Sequence, residues 1–227
     1  MLKVKRECHF EGIHNKHKEW GCLIFDWLGR PVTRFLAKYT NITPNQVSIL
    51  SFILCVIGAY FLFLGGYKNV LIGASFAFIG NLFDMVDGCL ARATGLRSIY
   101  GHWLDAMIDF IVFPLLVFAL AVGIGTYPAM FLGMLAIISY PNHYLIIHFY
   151  NAAIVKKHEP MAIPGNRRWE WLRDVYGSNL FYLFLFIGAV FDLPLYVLLF
   201  WATFGNLYWM GIILMQYLAL KKQAGKQ

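Results

Sequence analysis

Apolar residues run along this chain in stretches long enough to cross a bilayer, and polar residues are concentrated at the ends of those stretches and in short breaks between them. A helix needs about 20 apolar residues to traverse roughly 30 Å of hydrocarbon. On that scale the pattern predicts six spans, at about 44–65, 70–91, 101–124, 128–155, 178–191 and 194–220. Pro141 is expected to kink the fourth and free a backbone carbonyl. Residues 20–39 follow another pattern: Trp20, Leu23, Ile24, Trp27, Leu28, Phe35 and Leu36 recur near helical periodicity, with Arg30, Arg34 and Lys38 interspersed. This predicts an amphipathic helix lying in the membrane interface. Thr43-Pro44-Asn45-Gln46 reads as a helix start, with Thr43 as N-cap, Pro44 in the first turn and Gln46 three residues after the cap. Gly66 to Asn69 reads as a tight turn. The fold class is therefore an all-α integral membrane protein of six transmembrane helices preceded by an N-terminal amphipathic interfacial helix. Residues 1–42 form the cytosolic arm and that helix, and 43–227 form the six-span domain.

Composition agrees with this reading. The chain is 59% hydrophobic and only 14% charged, where soluble domains carry about 25% charged residues. Residues 1–20 lack the apolar core of a signal peptide, so the N-terminus is expected to stay in the cytosol. Six spans then put every Lys and Arg except Lys68 on one side, which the excess of positive charge in cytoplasmic loops makes the cytosol. The expectation is a multi-pass cell membrane protein whose termini and active site face the cytoplasm. Its net charge of +7 flanks apolar segments and accompanies no recognition motif, which favours membrane lipids over nucleic acid as a partner. Basic and aromatic residues from Arg167 to Arg173 read as an interfacial anchor.

Four cysteines, Cys8, Cys22, Cys55 and Cys89, have no paired spacing and are expected to be free thiols. Cys8, His9, His14 and His17 lack zinc-site spacing and read as a polar arm. The sequon Asn41-Ile42-Thr43 falls on the cytosolic side and is taken as helix-start chemistry.

One segment departs from the apolar pattern. Asp84, Asp87, Asp105 and Asp109 lie near the end of the second span and the start of the third, at the same membrane face. A helix-central Asp costs about 2.5–3.5 kcal/mol on insertion scales, so four unpaired ones cost roughly 10 kcal/mol or more. Residues three and four apart share a helix face, so each pair projects together and the two pairs can converge on an oxygen-rich cage for hard cations such as Mg²⁺ or Mn²⁺. Two such ions balance four carboxylates. Gly88 removes a side chain beside Asp87, Ala91 keeps that face shallow one turn on, and Arg92 supplies a planar cation suited to phosphate. Gly101 lets the third span approach its neighbours closely. The set describes a phosphate-processing site.

At these residues the chain resembles the CDP-alcohol phosphotransferases, whose pattern D-x2-D-G-x2-A-R-x8-G-x3-D-x3-D is matched at all its defined positions from Asp84 to Asp109. The amphipathic leading helix, Thr43-Pro44-Asn45 and the six spans are similar too. The resemblance implies attack by an acceptor hydroxyl on the phosphorus next to the donor alcohol, with CMP leaving, in phospholipid or phosphodiester synthesis. It implies that Asp84, Asp87, Asp105 and Asp109 hold two divalent cations and that Asp109 is also the base. It places Gly88, Ala91 and Arg92 in the CDP pocket, with Asn45 and Ser98 as further candidates, and it implies a homodimer. To act as a base, Asp109 needs surroundings unlike those of the other three.

Two other classes use intramembrane acids. Prenyltransferases bind a diphosphate through Asp pairs and Mg²⁺, and divalent-cation transporters carry acids along an ion pathway. Neither accounts for Gly88, Ala91 and Arg92 at their spacing. The expected donor is lipid-linked, because the site lies beside the bilayer, with a soluble donor such as CDP-inositol as the alternative. The acceptor is expected to be a small polar alcohol, with or without a phosphate; His102, His143, His148, Lys156, Lys157, Arg167 and Arg168 are candidates to meet it.

Overall fold

The structure, a computed structural model, describes residues 20–155 and 177–224. All elements among them are helical: α1 (Trp20–Tyr39), α2 (Pro44–Leu64), α3 (Tyr67–Thr94), α4 (Ile99–Ile124), α5 (Tyr127–Tyr150, continued by a π-helical turn Asn151–Val155), α6 (Ser178–Val190), α7 (Pro194–Phe200) and α8 (Asn206–Ala224). A π-helical turn, Trp201–Gly205, joins α7 to α8, and together they make one apolar segment, Pro194–Lys221. Among the described residues, five helical segments are long and apolar enough to cross a membrane. The expected fifth span, α6, is apolar but only 13 residues long, a rise of about 20 Å that falls short of the hydrocarbon thickness.

The start of α2 follows the sequence reading. Thr43 is an extended N-cap whose Oγ accepts from the Gln46 N–H, and Gln46 Oε1 accepts from the Thr43 N–H at 2.8 Å. The α2–α3 reversal is tighter than predicted: it takes Gly65 and Gly66, both at positive φ (67° and 76°), and Tyr67 already begins α3. Such φ values cost glycine nothing and other residues about 1–2 kcal/mol. At the other end α3 continues past Ala91 to Thr94, and α4 starts two residues before Gly101 because Ser98 caps it, its Oγ accepting from the Gly101 N–H at 2.9 Å. Pro141 lies inside α5, which is helical on both sides of it.

Among the spans, small residues set the packing. Ser51, Cys55 and Gly58 of α2 face Gly73, Ala77 and Gly80 of α3: a Cβ on Gly58 would stand 2.8 Å from the Gly73 carbonyl oxygen, and Ser51 Oγ donates to the Gly80 carbonyl at 2.9 Å. Small residues let backbones meet, which is what holds helices together where lipid is as apolar as leucine. On its other side α2 meets α4, where a Cβ on Gly123 would overlap the Leu62 carbonyl. Thus α2 is the main neighbour of both α3 and α4, while α3 and α4 scarcely touch each other. The predicted pairing of two Asp-bearing neighbours is in fact a cleft between them with α2 as its third wall. Behind α4, an aromatic cluster of Phe113, Phe181 and Trp201, with centroids 4.8–5.9 Å apart, ties α4, α6 and the α7–α8 segment together.

The interfacial helix has a face that the sequence reading did not separate. Gly21, Phe25, Gly29, Thr33 and Ala37, four apart, are buried against the protein, whereas Leu23, Ile24, Trp27 and Phe35 are exposed. Phe25 thus packs inward, while Leu23, Ile24, Trp27 and Phe35 point outward, as a helix lying in lipid requires. Among the described residues, Cys22, Cys55 and Cys89 form no disulfide with one another; Cys8, the histidine arm and the Arg167–Arg173 stretch lie outside the described residues.

Candidate active site

Helix length fixes the depth of each aspartate. Asp84 lies ten residues before the C-terminus of α3 and Asp109 ten residues after the N-terminus of α4; Asp87 lies seven before and Asp105 six after. At 1.5 Å per residue, the first two are about 15 Å and the second two about 10 Å below the α3–α4 turn. Oxygen atoms of Asp84, Asp87 and Asp105 all lie within 4.8 Å of one another. The side chains of Asp84 and Asp105 are within hydrogen-bonding distance. Two carboxylates approach that closely only with a proton or a cation between them, and oxygen-only ligands at this spacing suit a hard divalent ion. The donor set therefore fits the cations expected from the sequence. Asp109 is not part of the compact set, although it lies within electrostatic range of Asp84 and Asp87.

Ser48, one turn from Pro44 on α2, donates its hydroxyl to Asp87 Oδ2 and also lies 3.2 Å from the Pro44 carbonyl. This bond crosses from α2 to α3 and orients Asp87, whose side chain is almost fully buried.

A cavity of about 320 Å³ opens from this cluster, walled by the start of α2, the end of α3, the α3–α4 turn and the start of α4. It brings together Asn45, Gly88, Ala91, Arg92 and Ser98, all five candidate binding residues, with Asp87 and Asp105 at its floor. His102 lines it as well. Ser48 and Arg97 also line it, and the sequence reading did not single them out. The available signal was position: Ser48 is three residues from Asn45 on one helix face, and Arg97 adjoins Ser98. By contrast, His143 is buried with its ring 5.3 Å from Tyr208 and does not line this cavity, and His148 sits exposed near the end of α5. Lys156, Lys157, Arg167 and Arg168 lie outside the described residues.

The small residues act as the spacing suggested, with one correction. A Cβ on Gly88 would meet only the Arg92 guanidinium, at 3.4 and 3.9 Å, so that face is open to the cavity. A Cβ on Gly101 would stand 3.0 Å from Asn45 Oδ1 and 3.1 Å from Ser98 Oγ, so Gly101 makes room for a side chain of α2 and for its own cap rather than for a neighbouring backbone. Arg92 Nη2 lies 3.1 Å from Cys89 Sγ, Cys89 Sγ lies 3.9 Å from Asp26 Oδ1, and Asp26 pairs with Arg30 at 2.9 Å. The interfacial helix α1 thus reaches the site's arginine through one turn of α3. Gly88→Val is expected to leave folding unchanged and to raise the KM for a nucleotide donor about tenfold or more, because its branches fill open cavity rather than packed protein. Donor titration of initial rates checks this.

Comparison with known proteins places these features in context. The family model for CDP-alcohol phosphatidyltransferase matches residues 41–215. The archaetidylinositol phosphate synthase of Pyrococcus horikoshii is 35% identical over 83 residues, which is 37% of this chain and 43% of that protein. The chain thus matches less than half the length of this curated relative. A crystal structure of the Mycobacterium tuberculosis phosphatidylinositol phosphate synthase with CDP-DAG bound superposes with a TM-score of 0.65 at 20% identity, over 84% of this chain and 94% of that one. The same synthase in complex with manganese and citrate gives 0.59 at 20% identity, over 83% and 88%. At this identity the likeness establishes the shared fold.

Proposed function

The chain belongs to the CDP-alcohol phosphatidyltransferase family, and we propose that it transfers a phosphatidyl-type group from a lipid-linked CDP-alcohol to the hydroxyl of a small polar acceptor, releasing CMP. The observation that carries this reading is the single cavity in which Asn45, Gly88, Ala91, Arg92 and Ser98 lead down to the carboxylates of Asp87 and Asp105. A nucleotide needs a shallow wall and fixed hydrogen-bonding groups, and a diphosphate needs cations beneath it. A prenyl or ion-transport site has no use for that wall. The bound CDP-lipid and the manganese in the structurally similar synthase support the choice of donor and of a divalent cofactor.

In this reading Asp84, Asp87, Asp105 and Asp109 hold two divalent cations, Mg²⁺ or Mn²⁺. Bound there, the cations would neutralise the diphosphate charge and make the phosphorus more open to attack. Ser48 keeps Asp87 oriented. Arg92 takes phosphate oxygens on the open face that Gly88 leaves. Asn45 and Ser98 line the cavity mouth and hold the nucleotide end. Asp109 accepts the proton of the acceptor hydroxyl as its oxygen bonds to the phosphorus next to the donor alcohol. The bond from that phosphorus to the bridging oxygen breaks, and CMP carries the electron pair away. The termini and the site face the cytoplasm, residues 1–42 are the cytosolic N-terminal arm and amphipathic helix, 43–227 form the catalytic domain, and the protein works as a homodimer, the assembly the family resemblance favours.

The test follows CMP release by purified protein with Mg²⁺ or Mn²⁺. Donors are diacylglycerol-type and archaeal-type CDP-lipids against CDP-inositol; acceptors are serine, glycerol, glycerol phosphate, inositol, inositol phosphate and choline. Metal-dependent release with a CDP-lipid and one acceptor, abolished by chelator, is the expected result. Release with CDP-inositol alone refutes the lipid donor, and turnover of prenyl diphosphate but no CDP-alcohol refutes the whole reading.

A further inference from the structure

The nucleotide cavity is walled by α2, α3 and α4, and α5 contributes nothing to it. Yet α5 packs along α4 in a register that ring contacts define: Phe113 meets Tyr140 with centroids 4.9 Å apart, and Phe110 meets Tyr144 edge-on at 4.9 Å. The two helices are antiparallel neighbours joined at Gly125–Thr126. One turn from the Phe113–Tyr140 contact toward the start of α4 is Asp109, and one turn toward the end of α5 is Tyr144. A further turn brings Asp105 level with His148. The Tyr144 and His148 rings lie 3.9 Å apart, and Tyr144 feels the charges of both Asp109 and Asp105. Tyr144 is half-buried and His148 exposed, so this flank of the aspartates is polar and open, where lipid-facing residues elsewhere are apolar.

We propose that Tyr144, backed by the ring of His148, is a positioning residue for the acceptor alcohol, holding it beside Asp109 on the α5 flank of α4 while the donor occupies the cavity on the other side. This rests on the transferase reading. Two substrates must reach one phosphorus from opposite directions for in-line displacement, and the cavity supplies only one approach. A phenol is suited to the second: its hydroxyl both donates and accepts, so it fixes an alcohol oxygen without competing for the proton that Asp109 takes. The imidazole beside it, tilted 35° with its centroid 3.9 Å away, limits the ring's rotation.

The experiment is steady-state kinetics of wild type, Tyr144→Phe and His148→Ala in the acceptor found by the CMP-release screen, with donor and acceptor each varied. Tyr144→Phe keeps the ring and its packing on Phe110 and loses only the hydroxyl. It is expected to raise the acceptor KM about tenfold, the loss of one hydrogen bond, with donor KM within about twofold. His148→Ala is expected to raise the acceptor KM by a smaller factor. An active wild type whose acceptor KM is unchanged in Tyr144→Phe, or in which donor and acceptor KM rise together, overturns this assignment and leaves the transferase reading intact. A wild type that releases no CMP from any donor overturns the transferase reading itself, and this one falls with it.

Discussion

Replacing Asp109 with Asn is expected to lower CMP release by a factor on the order of 10²–10⁴, the usual worth of a positioned base, while donor KM changes little. The asymmetry follows from where Asp109 stands. Asp84, Asp87 and Asp105 form the compact oxygen set, and Asp87 and Asp105 also floor the nucleotide cavity. Asp109 belongs to neither group, lying a turn deeper than Asp105 and level with Asp84. An amide of the same shape preserves packing and cannot accept a proton. Asp87→Asn should behave differently: it removes charge from the compact oxygen set, so its metal requirement should rise more than that of Asp109→Asn, and high Mg²⁺ should restore more of its lost rate. Initial rates with metal and donor each titrated separate the two patterns. A rate for Asp109→Asn within about tenfold of wild type would mean that another group takes the acceptor's proton.

Most of the helix plan was legible because the bilayer imposes it. Spans must be long, apolar and internally hydrogen-bonded, so their rough limits follow from hydropathy, and the Thr43–Gln46 capping box stands where the pattern put it; the Ser178–Val190 helix also lies nearly where expected, but at 13 residues it is shorter than the span it was counted as. The four aspartates and Gly88, Ala91 and Arg92 were legible because polar and small residues are conspicuous in an apolar context. What was illegible depends on which helices touch. Nothing in hydropathy says that α2 rather than α3 is the main neighbour of α4; that follows from Gly58, Gly73, Gly80 and Gly123, whose missing side chains matter only in three dimensions. Because α2 is the third wall, Ser48 reaches Asp87 across 39 residues of sequence, and Asn45 fills the space that Gly101 leaves. Likewise, apart from Phe25 the buried stripe of α1 is made of small residues and Thr33, so a search for large apolar residues found mainly its outer face instead.

Gly123→Val is expected to prevent the protein from reaching its folded state. Gly123 lies in the last turns of α4, far from the aspartates, at the point where α4 crosses the end of α2. A Cβ there would overlap the carbonyl oxygen of Leu62, and a Cβ on Gly65, opposite, would overlap the carbonyl oxygen of Gly123. Both clashes are with backbone, so no side chain can rotate away. Overpacking of side chains costs about 1–3 kcal/mol; a branched residue wedged between two backbones is expected to exceed that, against a total stability of roughly 5–15 kcal/mol. The site suffers with the fold, because α2 carries Asn45 and Ser48 into the cavity only while it stays pressed between α3 and α4. Gly211→Ala on α8, where an added Cβ would meet nothing within 4 Å, is the matched control and should behave as wild type. The check is the yield of monodisperse protein in detergent and its thermal unfolding midpoint. A Gly123→Val protein that elutes and melts like the control would mean that α2 and α4 are not in backbone contact, and the cavity built on that contact would have to be redrawn.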